Sequence, residues 1–587
     1  MILLFVVSLL LIFISLGLGA LLQHTLSRFF SIEIKSDTPG LFLSGLMISA
    51  VYFNVLSFFV AIDYLTLTPL FTISFLCWWK YNFLEIFIQT GKSNLRFFFS
   101  KSHWFYTAAL LTVLFVYWMV PPLNVDSAGY HYASILWYEK YKVVPGLANL
   151  HGRYAFNPAA FVISAAYSFT DVLKQSIYPL NGVICATFLL WILKKLLSAG
   201  NSLIAVIFLV VLFIFARPLL ANMPSPSSEP LMIVCLGYAI FKIVAAIQKE
   251  KVVTSTLLIP CLLIVFSITA KLSASPGLLF IGVVFFFLSK EEKKWSLILK
   301  GTFVGAIIWL PWIGRNLVLS GYPFYPLPYF NIFSFDWKAP YDVLLLDYTY
   351  AKYFPNFFPY PLYKLKALSF FEWLFIWIKA HLNYGRQLDL VVLLSSLLSP
   401  LYWLLKRKEW TTIHKQLFMI WLAAYSCVWI WLANAPEHRF GVVYHALAFS
   451  IPFFAIIKLQ SNLKYVRFAL PIMLWMMSIY YIVHVLNKES TYSFGLKDFW
   501  LYPLKDKRYK NIDTSTYRYT MLDEKTKLFY EDPSHECINV GLPCMPWNYG
   551  KIEMRGNHLR DGFRNVTNEV RKYYPFLDDN YKFDMHR

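Results

Sequence analysis

Apolar runs of about twenty residues recur from Ile2 to residue 486, separated by short stretches that hold most of the charges. A helix of that length spans the roughly 30 Å hydrocarbon layer. Within lipid every backbone N–H and C=O must be bonded inside the segment, so the pattern leaves a bundle of membrane helices as the solution. Composition agrees: only 15% of the 587 residues are charged and 58% are hydrophobic, against about 25% charged in soluble domains. The fold class read here is an all-α polytopic membrane protein. Fourteen spans are expected, near 2–22, 41–62, 65–88, 103–121, 175–197, 201–220, 229–247, 253–271, 275–289, 296–318, 388–405, 414–433, 440–458 and 465–486. The first run lacks a basic start and a small-residue cleavage site, and reads as a retained span. Residues 156–170 are apolar but short, open with Asn157-Pro158, and read as a juxtamembrane or re-entrant helix.

Basic residues set the orientation. Strict alternation of these spans gathers nineteen Lys and Arg residues into one set of loops, such as the one with Lys92, Arg96 and Lys101. The opposite short loops and span ends hold four: Arg217, Lys271, Arg315 and Arg439. The positive-inside rule makes the first set cytoplasmic. Both termini, the outer loops 122–174 and 319–387, and the polar tail 487–587 then face outward. The net charge of +20 is thus a topological signal and argues against nucleic-acid binding. The organisation expected is extra N-terminal helices over 1–102, a membrane core over 103–486, and a small outer domain over 487–587. The Pro- and aromatic-rich loop GYPFYPLPYF reads as lying at headgroup level, and Phe370 to Leu382 as an amphipathic interfacial helix.

Cysteines divide by context. Cys77, Cys185, Cys235, Cys261 and Cys427 stand singly in apolar runs and read as small hydrophobes. Cys537 and Cys544 stand in the tail as CINVGLPC, with no zinc-like quartet; outside the cytosol a disulfide is the reading.

The candidate chemistry lies on the outer side. Asp126 stands just beyond a span in NVDSAGYHY, where it either caps a helix or acts as a catalytic carboxylate, as base or metal ligand. Tyr130 falls one turn on, with His131 beside it, and Glu139 reads as a solvated face. Arg153 and His151, in LHGRYAFNP, are candidates for anion binding, against an interfacial role for the arginine. Lys271, Arg315 and Arg439, the last beside Glu437 and His438, break the inside bias. A charge at membrane depth is costly unless it pairs or faces a cavity, and guanidinium groups match phosphate oxygens. No Walker A loop, GxGxxG or HExxH is present, so nucleotide-driven transport and zincin chemistry lack support. No internal repeat is visible, which counts against inverted-repeat transporters.

These stretches resemble the GT-C membrane glycosyltransferases. The likeness rests on the acid after a span with an aromatic and His close by, on PWIGRNLVLSGYPFYP, and on HRF at 438–440. The DSAGYHY, PGLANLHGR and LPC stretches are similar to a group of large bacterial inner-membrane proteins in that superfamily. The resemblance covers roughly 103–486. It implies a polyprenyl-phosphate-linked sugar donor, a lipid or glycan acceptor on the periplasmic side, and an inverting transfer. By matching position it implies Asp126 as base or metal-associated acid, with Arg315 and Arg439 near the lipid phosphate. Two features depart from the pattern: three spans precede the one that usually comes first, and Ser127 rather than a second acid follows Asp126. That second departure leaves a divalent metal ion open. A surface-polysaccharide polymerase or ligase is the neighbouring alternative. A lipid-linked glycan flippase is the alternative of another class, although its ionisable groups should sit near the bilayer midplane.

Overall fold

The computed structural model describes residues 2–456 apart from 81–82, 120–125, 174–175, 199–210, 212–215, 248–253, 289–293, 354–366, 384–386 and 406–411; beyond them it describes isolated residues from 472 to 483 and the segments 518–530, 542–545 and 551–567. The described chain is mostly helical. In order run α1 (Ile2–Phe30), α2 (Thr38–Leu56), α3 (Leu67–Lys80), α4 (Phe83–Phe98), α5 (Trp104–Met119), α6 (Tyr132–Lys140), α7 (Ala159–Ala166), α8 (Thr170–Leu173), α9 (Pro179–Ser198) and α10 (Glu229–Ile247). Then follow α11 (Thr254–Ala270), α12 (Leu278–Phe287), α13 (Lys294–Ser320), α14 (Tyr341–Tyr353), α15 (Phe370–Asn383), α16 (Gln387–Leu405), α17 (Thr412–Asn434) and α18 (His438–Ile456). Among the described residues six helices are long and apolar enough to cross a membrane: α1, α2, α9, α10, α13 and α17.

The expected spans and the helices differ in three places. The run 65–88 is divided between α3 and α4, and α4 carries Glu85, Lys92 and Arg96. The runs 201–220 and 465–486 lie largely outside the described residues. The short segment 156–170 contains α7, eight residues that are all buried. At 1.5 Å per residue α7 is about 12 Å long, too short to cross a hydrocarbon core. It is an interior helix packed on α2, α6 and α9.

Small residues let the first two helices touch. A Cβ on Gly19 would lie 1.9 Å from the Leu41 carbonyl oxygen, and one on Gly45 would lie 1.7 Å from that of Ser15. Glycine spacing of this kind lets helix backbones approach closely. α2 in turn packs on α7, α11 and α13, so the N-terminal pair is built into the bundle. At the other end of this layer Asp37 caps α2 and accepts from Trp191 Nε1 (3.1 Å), Lys242 Nζ (3.3 Å) and the Tyr238 hydroxyl, tying α2 to α9 and α10.

The tail joins the segment between α6 and α7. Strands β1 (Arg518–Met521), β2 (Lys527–Tyr530) and β3 (Cys544–Met545) form one sheet in that order, antiparallel and then parallel. β4 (Ile552–Met554) and β5 (Phe563–Asn565) form an antiparallel hairpin. Asn149 Nδ2 donates to the carbonyls of Gly146, Trp337 and Phe563, at 3.1, 2.9 and 3.1 Å. Phe563 N donates to Pro145 O at 2.9 Å, Tyr154 OH to Cys544 O at 3.2 Å, and Arg555 Nε to Asp336 Oδ2 at 2.6 Å. Three distant stretches thus make one layer. Cys544 is disulfide-bonded and the five cysteines of the apolar runs are free; Cys537 lies outside the described residues.

Replacement of Gly45 by Ala drives a methyl group into the α1 backbone. Overpacking of this kind costs about 1–3 kcal/mol, so thermal unfolding of the purified Gly45→Ala protein is expected at a lower midpoint than the parent.

Candidate functional site

The turn that leads into α6, the starts of α10 and α18 and the end of α11 converge on one row of alternating charges. Asp126 precedes a single wide π turn, Ser127–His131, and makes no capping hydrogen bond there. Its oxygens face two guanidinium groups instead: Oδ1 lies 3.2 Å from Arg153 Nη1 and Oδ2 lies 3.2 Å from Arg439 Nη2. Arg439 is shared, its Nη1 lying 3.2 Å from Glu229 Oε1. Lys271 Nζ meets the same Glu229 oxygen at 2.6 Å. At the other end Arg153 Nε lies 3.9 Å from Asp347 Oδ1, and Tyr325 OH donates to Asp347 Oδ2 at 2.6 Å. The order is Asp347, Arg153, Asp126, Arg439, Glu229, Lys271, and a further acid, Glu437, places its Oε1 4.0 Å from Arg439 Nε.

Local structure fixes each member. His151 Nδ1 accepts from the Arg153 backbone N–H at 2.9 Å and starts the 3-10 turn that carries the arginine. Gly152 must be glycine, because a Cβ there would come within 2.3 Å of Asp347 Oδ2. The Arg153 guanidinium lies 4.6 Å from the Tyr350 ring centre and 5.5 Å from that of Tyr130, and Lys271 Nζ lies 3.9 Å from that of Phe440. Such faces hold cations that have left water.

Burial and charge oppose one another at this site. Burial raises the Asp126 carboxyl, but Arg439 and Arg153 outweigh it and hold the group below the ordinary aspartate value. Asp347, with less compensation, is pushed by burial up to about 6. Burial pushes His131 down to about 4 although Asp126 and Glu229 pull it upward, so the imidazole is neutral at pH 7.

Of the residues singled out in the sequence, Asp126, Arg153, Lys271 and Arg439 meet in this row, with Tyr130 and His131 against it. His438 stacks on His445, ring centres 6.0 Å apart. Arg315 stands elsewhere: fully buried, it donates from Nε to Asn157 Oδ1 at 2.9 Å and lies 4.4 Å from the Tyr138 ring centre. Glu139 is not a solvated face. It is buried, because α6 turns it toward Ser168 and Thr170. Two members went unnoticed in the sequence. Glu229, in SPSSEP, reads as an ordinary first-turn acid before an apolar run, and Asp347, in LLLDYTY, sits inside a loop whose helix α14 has no capping signal.

The donor set does not fit a divalent metal. Both Asp126 oxygens face cations, and among the described residues no group of three or more His, Cys, Asp or Glu is placed to hold a metal ion.

A family model described as a domain of unknown function (DUF8201) matches residues 1–446. The chain belongs to the DUF8201 family. No curated protein and no solved structure matches it. The DUF8201 region contains every charged member of the row, ending seven residues after Arg439, and excludes the tail.

Two measurements probe this geometry. Arg439→Ala leaves Asp126 and Glu229 without their shared cation, and because Arg153 and Lys271 remain beside them the cost is expected below the roughly 3–5 kcal/mol of a fully buried broken pair. Unfolding is expected to show that loss, and partial recovery in Arg439→Ala/Glu229→Gln. Burial raises Glu139 from 4.5 to about 7 against its Ser168 and Thr170 donors. The protonated form is the one the fold favours, so this contribution is complete at low pH and is lost as pH rises through about 7. Stability profiles from about pH 5 to about pH 8 should fall for the parent and be flatter for Glu139→Gln.

Proposed function

We propose that the protein is a membrane glycosyltransferase that moves a sugar from a polyprenyl-phosphate donor to an acceptor hydroxyl on the outer face of the membrane, in cell-envelope glycan or glycolipid synthesis. The observation that carries the reading is Asp126 held between Arg153 and Arg439 where helix ends converge. An acid and a set of cations within reach of each other suit an acceptor hydroxyl and a phosphate leaving group. Membrane insertion is supported by the apolar helices and by α13, of whose apolar window only 11% is buried. An apolar surface of that extent belongs against lipid. By the loop charges the row faces the periplasm of a bacterial inner membrane.

The reaction follows from these groups. The acceptor oxygen attacks the anomeric carbon opposite the phosphate and gives its proton to Asp126. The bond from that carbon to the phosphate oxygen breaks, its electron pair stays on the phosphate, and the configuration inverts. Arg439, Arg153 and Lys271 stabilise the developing charge, an electrostatic role that is strongest in a preorganised site away from water. Asp126 is a weak base while two guanidinium groups face it. A phosphate that draws them away raises its basicity, so the donor itself readies the base. No step uses a metal.

The full engagement of Asp126 also favours a second reading, an arginine-centred polysaccharide ligase in which the carboxylate only positions Arg153 and Arg439. Turnover of radiolabelled polyprenyl-phosphate sugars decides between them. Asp126→Asn is expected to lose about 10²- to 10⁴-fold in donor turnover, the range for a lost proton acceptor. Turnover retained in Asp126→Asn but lost in Arg439→Ala would favour the ligase.

A further inference from the structure

Helix α4, which follows α3 and precedes α5, divides along its length into three edges. Phe87, Asn94 and Phe98 stand at i, i+7 and i+11 and form a packed edge. The Phe87 ring meets that of Trp78 on α3 edge-on, with centres 5.4 Å apart. Asn94 Oδ1 accepts from Lys194 Nζ on α9 at 2.6 Å, and the Phe98 carbonyl accepts from Thr107 Oγ1 on α5 at 2.9 Å. Ile88 and Leu95 repeat the spacing one residue on, and Phe99 completes it just past the helix end. These three are 45%, 58% and 58% exposed, and they form an open apolar edge. Glu85, Gln89, Lys92 and Arg96, at i, i+4, i+7 and i+11, form a polar edge. Successive residues of a helix turn by about 100°, so the open apolar edge lies between the packed edge and the polar one.

This arrangement fits one setting. The charges of the polar edge exclude α4 from the hydrocarbon layer, and the open apolar edge is unsuited to water. A helix with two such edges side by side, rooted in a membrane bundle, lies in the plane of the interface with its apolar edge toward the acyl chains. Trp79, at the end of α3 and 74% exposed, stands where aromatic residues collect at the headgroup boundary.

Charge selects the lipid. Lys92, Arg96 and Lys101 are exposed and make no ion pair among the described residues. The one acid of the helix, Glu85, accepts from Gln89 Nε2 at 3.2 Å. By the loop charges this segment faces the cytoplasm, and Lys194, which bonds Asn94, comes from another loop of the same set. Each cation at such a surface strengthens binding to anionic headgroups about fivefold.

We propose that α4 is an interfacial helix that binds anionic phospholipid headgroups of the cytoplasmic leaflet through Lys92, Arg96 and Lys101, with Ile88, Leu95 and Phe99 seated at the edge of the acyl chains. The inference rests on the membrane insertion and orientation read above and is independent of the reaction.

Hydrogen exchange over residues 83–99 of the full-length protein tests it, in nanodiscs of phosphatidylcholine alone and of phosphatidylcholine mixed with phosphatidylglycerol. In the parent, exchange is expected to be at least about fivefold slower in the mixed bilayer. Lys92→Gln/Arg96→Gln/Lys101→Gln is expected to lose that difference. Its thermal midpoint in phosphatidylcholine should match the parent's, because these cations have no protein partner to lose. Equal exchange of the parent in the two bilayers overturns the headgroup site and leaves membrane insertion standing. So does a slowing that the triple variant keeps. A parent that enters neither bilayer overturns the membrane reading and the headgroup site with it.

Discussion

Arg439 holds two carboxylates that would otherwise be buried beside each other. It lies 3.2 Å from both Asp126 and Glu229, and it enters from the first turn of α18, far along the chain from either. Removing ions from water is expensive, and the cost is recovered only when every charge has an opposite neighbour. The row meets that condition: each of its acids, Glu437 included, has a cation beside it, and the members come from distant segments. The helix ends are therefore fixed relative to one another by electrostatics, over and above the apolar packing below them. Glycine contacts between α1 and α2, and the Asp37 cap that binds α9 and α10, hold the scaffold on which those ends sit.

Pairing has a cost in reactivity. Four acids against three bases give an incoming anion no net attraction, so any anion that reached these cations would have to displace a carboxylate. Asp347 is the member best able to yield. Burial leaves it near 6, and Arg153 Nε, its cation partner among the described residues, is 3.9 Å away. The neutral His131 adjoins this row without adding charge to it.

The helical class and most helix positions were legible in the sequence, because long apolar runs have few other solutions. So were Asp126, an acid at a span edge, Lys271 and Arg439, bases that break the loop-charge pattern, and Arg153, singled out in the loop 122–174 as an anion-binding candidate. The rest was hidden for physical reasons. Glu229 breaks no rule, since an acid in the first turn of a helix is what the helix dipole favours. Asp347 lies inside helix α14, and its contacts with Arg153 and Tyr325 come from segments distant in the sequence. Arg315 breaks the same rule as Arg439, yet Asn157 and the Tyr138 ring hold it apart. A sequence pattern cannot tell a paired cation from a packed one. Glu139 looked exposed because α6 gives no sign of the turn at Ser168 that covers it.

The Asn149 amide joins its own loop to Trp337 and to Phe563, the latter 414 residues later in the chain. That bond imposes an order of events on biogenesis. The charged residues of the row are all in place once the ribosome has passed residue 439, but the layer around Arg153 can close only after the last hundred or so residues have been made and delivered to the same side. Until then Asn149 lacks its bond to Phe563.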